Sequence, residues 1–157
     1  MRDLDSRTEI RELVVRFYRD VAADDLLGPV FLDVAHVDWT THIPKLVDYW
    51  CRVLLREPVY DGAFLGPHER VHARQPLERA HFDRWYELWV EAVDSGWTGP
   101  FADAAKRHAA RNMATLAKHL LGIVWVPPHL VEDEGGDPPC WAHELEAIED
   151  SHRRRSA

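Results

Sequence analysis

Apolar residues recur at three- and four-residue intervals through most of the chain, the pattern of successive amphipathic helices. In residues 6–23, Ile10, Leu13, Val14, Phe17 and Val21 form one stripe, with Tyr18 beside it. Gly28-Pro29 breaks the chain, and Phe31 follows in a short, turn-rich corner. A second helix starts near Asp38 or Thr40 and turns Ile43, Leu46, Val47, Trp50 and Leu54 inward, with His42, Leu46 and Trp50 spaced four apart. Pro44 falls inside it. Proline is comfortable only in a helix's first turn, so its position predicts a late start or a kink.

Residues 58–76 turn to Gly, Pro, Arg and His, which predicts a loop carrying one short helix over 65–71. A strong helix follows over 76–94 with Phe82, Trp85, Leu88, Trp89 and Ala92 inward, closed by Ser95-Gly96. The next runs from Pro100 through Ala104, Ala105, His108, Met113, Leu116 and Leu120 to a stop at Gly122. The fold class is therefore all-α. Residues 123–157 change character, with Pro127-Pro128, an acidic patch at Glu132 to Glu134, Gly135-Gly136 and Pro138-Pro139. We expect one domain over 1–122 and a C-terminal extension over 123–157, in which Trp141, Leu145 and Ile148 form an amphipathic turn or two and Arg153 to Arg155 are solvated.

With 157 residues the chain is long enough for one respectable core, and 46% apolar with 29% charged residues is ordinary for a packed globular protein. The net charge of −8 argues against nucleic acid or an anionic membrane surface as partner, since an acidic field attracts neither. Charges at Arg2, Asp3, Asp5 and Arg7 interrupt the start, so no signal peptide is expected, and no apolar run approaches a membrane span. Cys51 and Cys140 lack CxxC spacing, which points away from disulfides and structural zinc and toward a reducing, cytoplasmic setting. A small neutral ligand suits these bounds.

Haem iron in an apolar slot needs one strong nitrogen ligand, a few polar groups and aromatic walls. Tyr18, Phe31, His42, Trp50, His68 and Trp85 offer all three on helical segments, and the absence of CxxCH makes any haem non-covalent. Four stretches in order, FYRDVAADDLLGPVF, WTTHIPKLVDYW, YDGAFLGPH and HFDRWYELW, give the chain a specific likeness. Over roughly residues 5–121 it resembles the group III truncated haemoglobins. The resemblance implies a shortened globin, a two-over-two helical sandwich around haem b and its iron. It makes Tyr18 the distal tyrosine, Phe31 the phenylalanine on the haem face, His42 the distal histidine and Trp85 the distal tryptophan. Leu46 and Trp50 continue the distal helix, and Lys45 points toward a propionate. The proximal ligand falls on His68, counted forward from Tyr60. His72 is the alternative, favoured by counting back from Trp85. Glu69 or a backbone carbonyl is the expected partner of the ligand's other ring nitrogen.

By the same resemblance the chain binds oxygen, nitric oxide or carbon monoxide, as a monomer or weak homodimer. Nitric oxide dioxygenation and peroxide turnover stay open as redox chemistry, with electrons from an external reductase. Pro44, the lengthened stretch after His68 and the tail depart from the family pattern.

Taken singly, each residue is ordinary: Trp85 with Phe82 and Leu88 suits any helical core, His42 a helix start, and His68 a loop after Gly66-Pro67. His72, His81, His108 and His119 read as surface or packing histidines, and Cys51 as a small buried apolar residue. Two other readings stand beside haem. Glu69-x-x-His72 and Glu78-x-x-His81 have the spacing of di-iron carboxylate bundles, but lie nine residues apart with Pro76 between them. A haem-free helical sensor or interaction module would use the aromatic cluster only as core.

Overall fold

The structure, a computed structural model, describes residues 1–58 and 64–128. The chain divides into two units, Met1–Trp125 and Val126–Ala157, and the first carries everything that follows. Expectations for the acidic patch and for Trp141, Leu145, Ile148 and Arg153 to Arg155 lie outside the described residues.

Among the described residues the first unit has five α-helices and one π-helical turn: α1 Arg7–Ala23, the π-turn Val30–Val34, α2 Trp39–Leu55, α3 Leu65–Arg74, α4 Arg79–Asp94 and α5 Pro100–Leu121. Among the described residues the one extended pairing is an isolated bridge between Arg2 and Trp97. Ser6 caps α1 by accepting the Glu9 N–H, and the expected stripe of Ile10, Leu13, Val14, Phe17 and Val21 is buried together with Tyr18. Asp24 ends the helix. One of its oxygens takes the Leu26 and Leu27 N–H groups, and the other takes Arg84 Nε of α4 at 2.7 Å.

Helix α2 is capped by Asp38 and runs unbroken to Arg56, which closes it in the left-handed region at φ 59°. Pro44 thus neither delays the helix nor interrupts it. Its exposed ring lies in the second turn, and the local loss is the N–H that the Thr40 carbonyl would otherwise receive. Helix α4 starts three residues later than its pattern suggested, because Glu78 and His81 form a reciprocal capping box there. Helix α5 has Pro100 at its first turn but only Gly99 as cap. Asp3 fills that role from the far end of the sequence, accepting the Phe101 and Ala102 N–H groups at 3.2 and 2.8 Å.

Helix α4 packs on α5 and α1 on α2 and α4, while α3 lies against α5 and the π-turn. Ala102, Ala105, Ala109, Ala110, Ala114 and Ala117 give α5 a small-residue face that admits close neighbours. Trp89, Trp97 and Trp125 are fully buried, and each indole N–H finds an acceptor: the Ala105 carbonyl, Glu9 and Asp83. Cys51 is buried, as expected. Tyr86 and Val93 join the core of α4 without having been expected there.

Candidate functional site

Tyr18 projects from α1 into the corner formed by the π-turn and the start of α2. Its ring lies 5.9 Å from Phe31, 5.7 Å from Trp39 and 5.7 Å from His42. Phe31 and Trp39 stack, and Trp39 meets His42 edge-on. The corner holds because Ala35 N–H bonds the Val30 carbonyl and Val37 N–H the Phe31 carbonyl, which presents Phe31 toward α2. Below the corner, Phe17 touches Trp85 at 5.0 Å and Trp89 at 4.9 Å.

Burial pushes the Tyr18 phenol well above its ordinary value, while the Trp85 indole N–H, hydrogen-bonded to the Tyr18 oxygen, works against that shift. The hydroxyl is therefore protonated at any physiological pH. Burial, and after it the proximity of His68 and Lys45, holds the His42 imidazole below its ordinary value, so His42 is neutral at pH 7. His68 on α3 is thus one of the groups that bear on His42 of α2.

Helix α3 is tied at two points: Arg74 donates to the Val34 carbonyl of the π-turn, and His119 of α5 bonds Glu69 at 2.7 Å. His68 stands next to the second of these ties, one residue before Glu69. Its Nδ1 bonds the Phe64 carbonyl at 2.7 Å, so in the neutral ring Nδ1 carries the proton and Nε2 the lone pair. Burial lowers its pKa, against the opposing pull of that carbonyl, and favours the neutral form that can ligate a metal. His72 is arranged the other way. Its Nδ1 accepts the Leu77 N–H at 2.9 Å, which places the ring proton on Nε2. Glu69 is bonded to His119, so of the two partners expected for His68 the carbonyl is the one found.

The remaining candidates separate. Leu46 is half-buried and Lys45 exposed on α2. Trp50 is 2% exposed and stacks on Trp89 with centroids 4.4 Å apart, which places it in the interior beneath the corner rather than among Tyr18, Phe31 and His42. Trp85 is half-buried and stacked on Trp89. Trp39, Tyr49 and Phe64 are aromatic members that sequence reasoning passed over. Tyr49 packs against Trp50 and lies parallel to Phe64, whose ring in turn approaches His68 to 5.4 Å. The signal for two of them was available: Trp39, His42, Leu46 and Tyr49 recur at three, four and three residues, a second stripe beside the buried one.

The side chains of the two Glu-x-x-His motifs serve structural ends: Glu69 bonds His119, His72 accepts from Leu77, and Glu78 and His81 cap α4. Among the described residues no group of three or more His, Cys, Asp and Glu converges to hold a metal. No described helix is long and apolar enough to cross a membrane.

Comparison with known proteins gives this geometry a context. A group 3 truncated hemoglobin of Campylobacter jejuni is 28% identical over 92 residues, covering 57% of this chain and 70% of the relative. The crystal structure of a group III truncated hemoglobin from Campylobacter jejuni superposes with a TM-score of 0.68 at 23% identity, covering 76% of this chain and 95% of that one. The architecture is accordingly the truncated globin fold expected from the four sequence stretches. The bacterial-like globin family, a family of haem iron proteins that bind gases, matches residues 4–122, and the chain belongs to it.

Proposed function

We propose that this chain holds haem b non-covalently, with His68 Nε2 as the proximal ligand, and binds oxygen or another diatomic gas on the side of Tyr18, His42 and Trp85. The observation that carries the reading is the bond from His68 Nδ1 to the Phe64 carbonyl, which fixes the tautomer and leaves Nε2 as a donor. The same test counts against His72, whose Nε2 bears the proton. Donor chemistry and surroundings suit the group: a neutral imidazole on α3, a neutral His42 on α2, and aromatic rings beside each.

When bound, haem supplies an iron centre with a free position for a diatomic ligand. The chain supplies the rest. The Tyr18 hydroxyl, buried and protonated, is the group able to donate toward a guest with partial negative charge. Burial keeps that phenol protonated, and the neutral His42 adds a polar edge without charge. Phe31 and Trp39 close the corner and limit the water that competes for the Tyr18 hydroxyl. Lys45, exposed near His42, suits a propionate. Residues 1–122 carry this function, with 123–157 as an extension. The protein works in the cytoplasm as a monomer or weak homodimer. Nitric oxide dioxygenation or peroxide turnover would draw electrons from an external reductase.

Haem titration of the apoprotein tests the assignment. His68→Ala should abolish stable uptake, read as loss of the Soret band, while His72→Ala retains it. Retained uptake by His68→Ala with loss in His72→Ala overturns the assignment.

A further inference from the structure

A second recess lies between the C-terminal end of α2 and the first half of α5. It is an open cleft of about 370 Å³, lined by Val53, Leu54, Arg56, Pro100, Phe101, Ala104, Arg107, His108 and Arg111. Two features set it apart. Its lining includes three arginines and no carboxylate, in a chain whose net charge is −8. Several guanidinium groups elsewhere meet acids, Arg2 bonding Glu12, Arg7 Asp48 and Glu57, Arg16 Glu12 and Arg84 Asp24, while Arg74 and Arg79 bond backbone carbonyls. Neither Arg56 nor Arg107 has such a partner among the described residues. Both are exposed on the rim, while Leu54, Val53, Ala104 and Phe101 provide an apolar floor.

His108 shows which charges matter here. Burial, and then Arg111, push its pKa down to about 4, so it is neutral at pH 7. Asn112 donates to the Tyr49 oxygen, and the Tyr49 hydroxyl meets His108 Nε2 at 2.8 Å. The imidazole is committed to Tyr49 and adds no positive charge to the cleft. The field there comes from the arginines, whose planar forks match a carboxylate. A recess of this volume, apolar within and cationic at the rim, suits a small amphiphile held head outward.

We propose that this cleft is a binding site for a small amphiphilic carboxylate, its apolar body on Leu54, Val53, Phe101 and Ala104 and its carboxylate between Arg56 and Arg107. The site is separate from the proposed haem pocket and does not depend on it. The side chains with the position for the head group also account for its sign: a cationic or neutral amphiphile gains nothing from them.

Calorimetric titration of the full-length, haem-supplemented protein with decanoate tests this, with decanol as the uncharged control and inorganic phosphate as the anion without a body. Amide shifts in two-dimensional NMR locate the probe. Decanoate should bind with shifts at Leu54, Ala104, Arg107 and His108. Decanol and phosphate should each bind at least roughly tenfold more weakly, as the loss of a charge-assisted contact or of the apolar body implies. Replacing both rim residues, Arg56→Gln with Arg107→Gln, should weaken decanoate by a similar factor. Both positions are exposed, and an unchanged melting temperature verifies that the variant folds. Equal binding of decanol, unchanged decanoate affinity in the double variant, or shifts confined to residues around Tyr18 and His68 would each overturn the proposal.

Discussion

Replacing Tyr18 by Phe removes one oxygen from a site that is 5% exposed and leaves the ring contacts with Phe17, Phe31, Trp39 and His42 in place. The change therefore isolates the hydroxyl. If the phenolic proton is donated to a partly charged diatomic ligand, as proposed, that bond should contribute about 1.5–3 kcal/mol. Lost only when the ligand is bound, that energy should appear in the escape rate, raising oxygen dissociation by roughly 10- to 150-fold. Stability should change little, because the half-buried Trp85 has access to water once its acceptor is gone. Stopped-flow displacement of oxygen by carbon monoxide in the ferrous protein measures the rate, and a thermal melt measures the fold. An off-rate within about twofold of the parent, with the melt unchanged, refutes the view that Tyr18 holds the ligand.

Other perturbations probe the scaffold and the rest of the pocket. Gly99 has φ +130°, and a Cβ there would stand 2.5 Å from Asp3 Oδ2, so Gly99→Ala should lower stability by about 1–3 kcal/mol in a thermal melt; an unchanged melting temperature would contradict the Asp3 cap. Backbone N–H bonds and Arg84 outweigh burial in holding the Asp24 carboxyl below its usual value. Its stabilising share is present above the unfolded pKa near 4 and is lost as pH falls through the lower folded value. Asp24→Asn should accordingly be less stable than the parent by about 1 kcal/mol at pH 7, with the two denaturation curves converging in acid; a constant gap down to low pH would exclude the charge as the cause. His42→Leu removes a neutral polar edge without altering net charge at pH 7, so it should change ligand entry and exit rates while haem uptake persists. Loss of haem in that variant would place His42 among the ligands of the iron.

Helix boundaries were readable at several local caps, though not at α4, whose Glu78–His81 box the spacing did not reveal. Ser6, Asp38 and Gly122 mark their helices by side chain or by φ, and α1 buries the residues its spacing selected. The α5 cap was hidden because Asp3 reaches it across nearly a hundred residues, and only folding brings such groups together. Of the two outcomes expected from Pro44, the late start does not occur: α2 runs through it, packed on α1 and α5. In the proposed pocket, sequence spacing named Tyr18, Phe31 and His42, whose rings do approach one another, and also Trp50, which stacks on Trp89 instead. One helical position is a rotation of about 100°, enough to move a ring from pocket to core. The proposed preference for His68 over His72 rests on a tautomer, which a spacing cannot express but one hydrogen bond each implies.

The bond between His68 Nε2 and iron is the claim on which the functional account rests. Resonance Raman spectroscopy of the ferrous, ligand-free protein reports an iron–histidine stretch directly. That band should be present in the parent and in His72→Ala, absent in His68→Gly, and replaced by an iron–imidazole band when free imidazole is added to His68→Gly. An iron–histidine band that survives in His68→Gly, or one that disappears in His72→Ala, contradicts it.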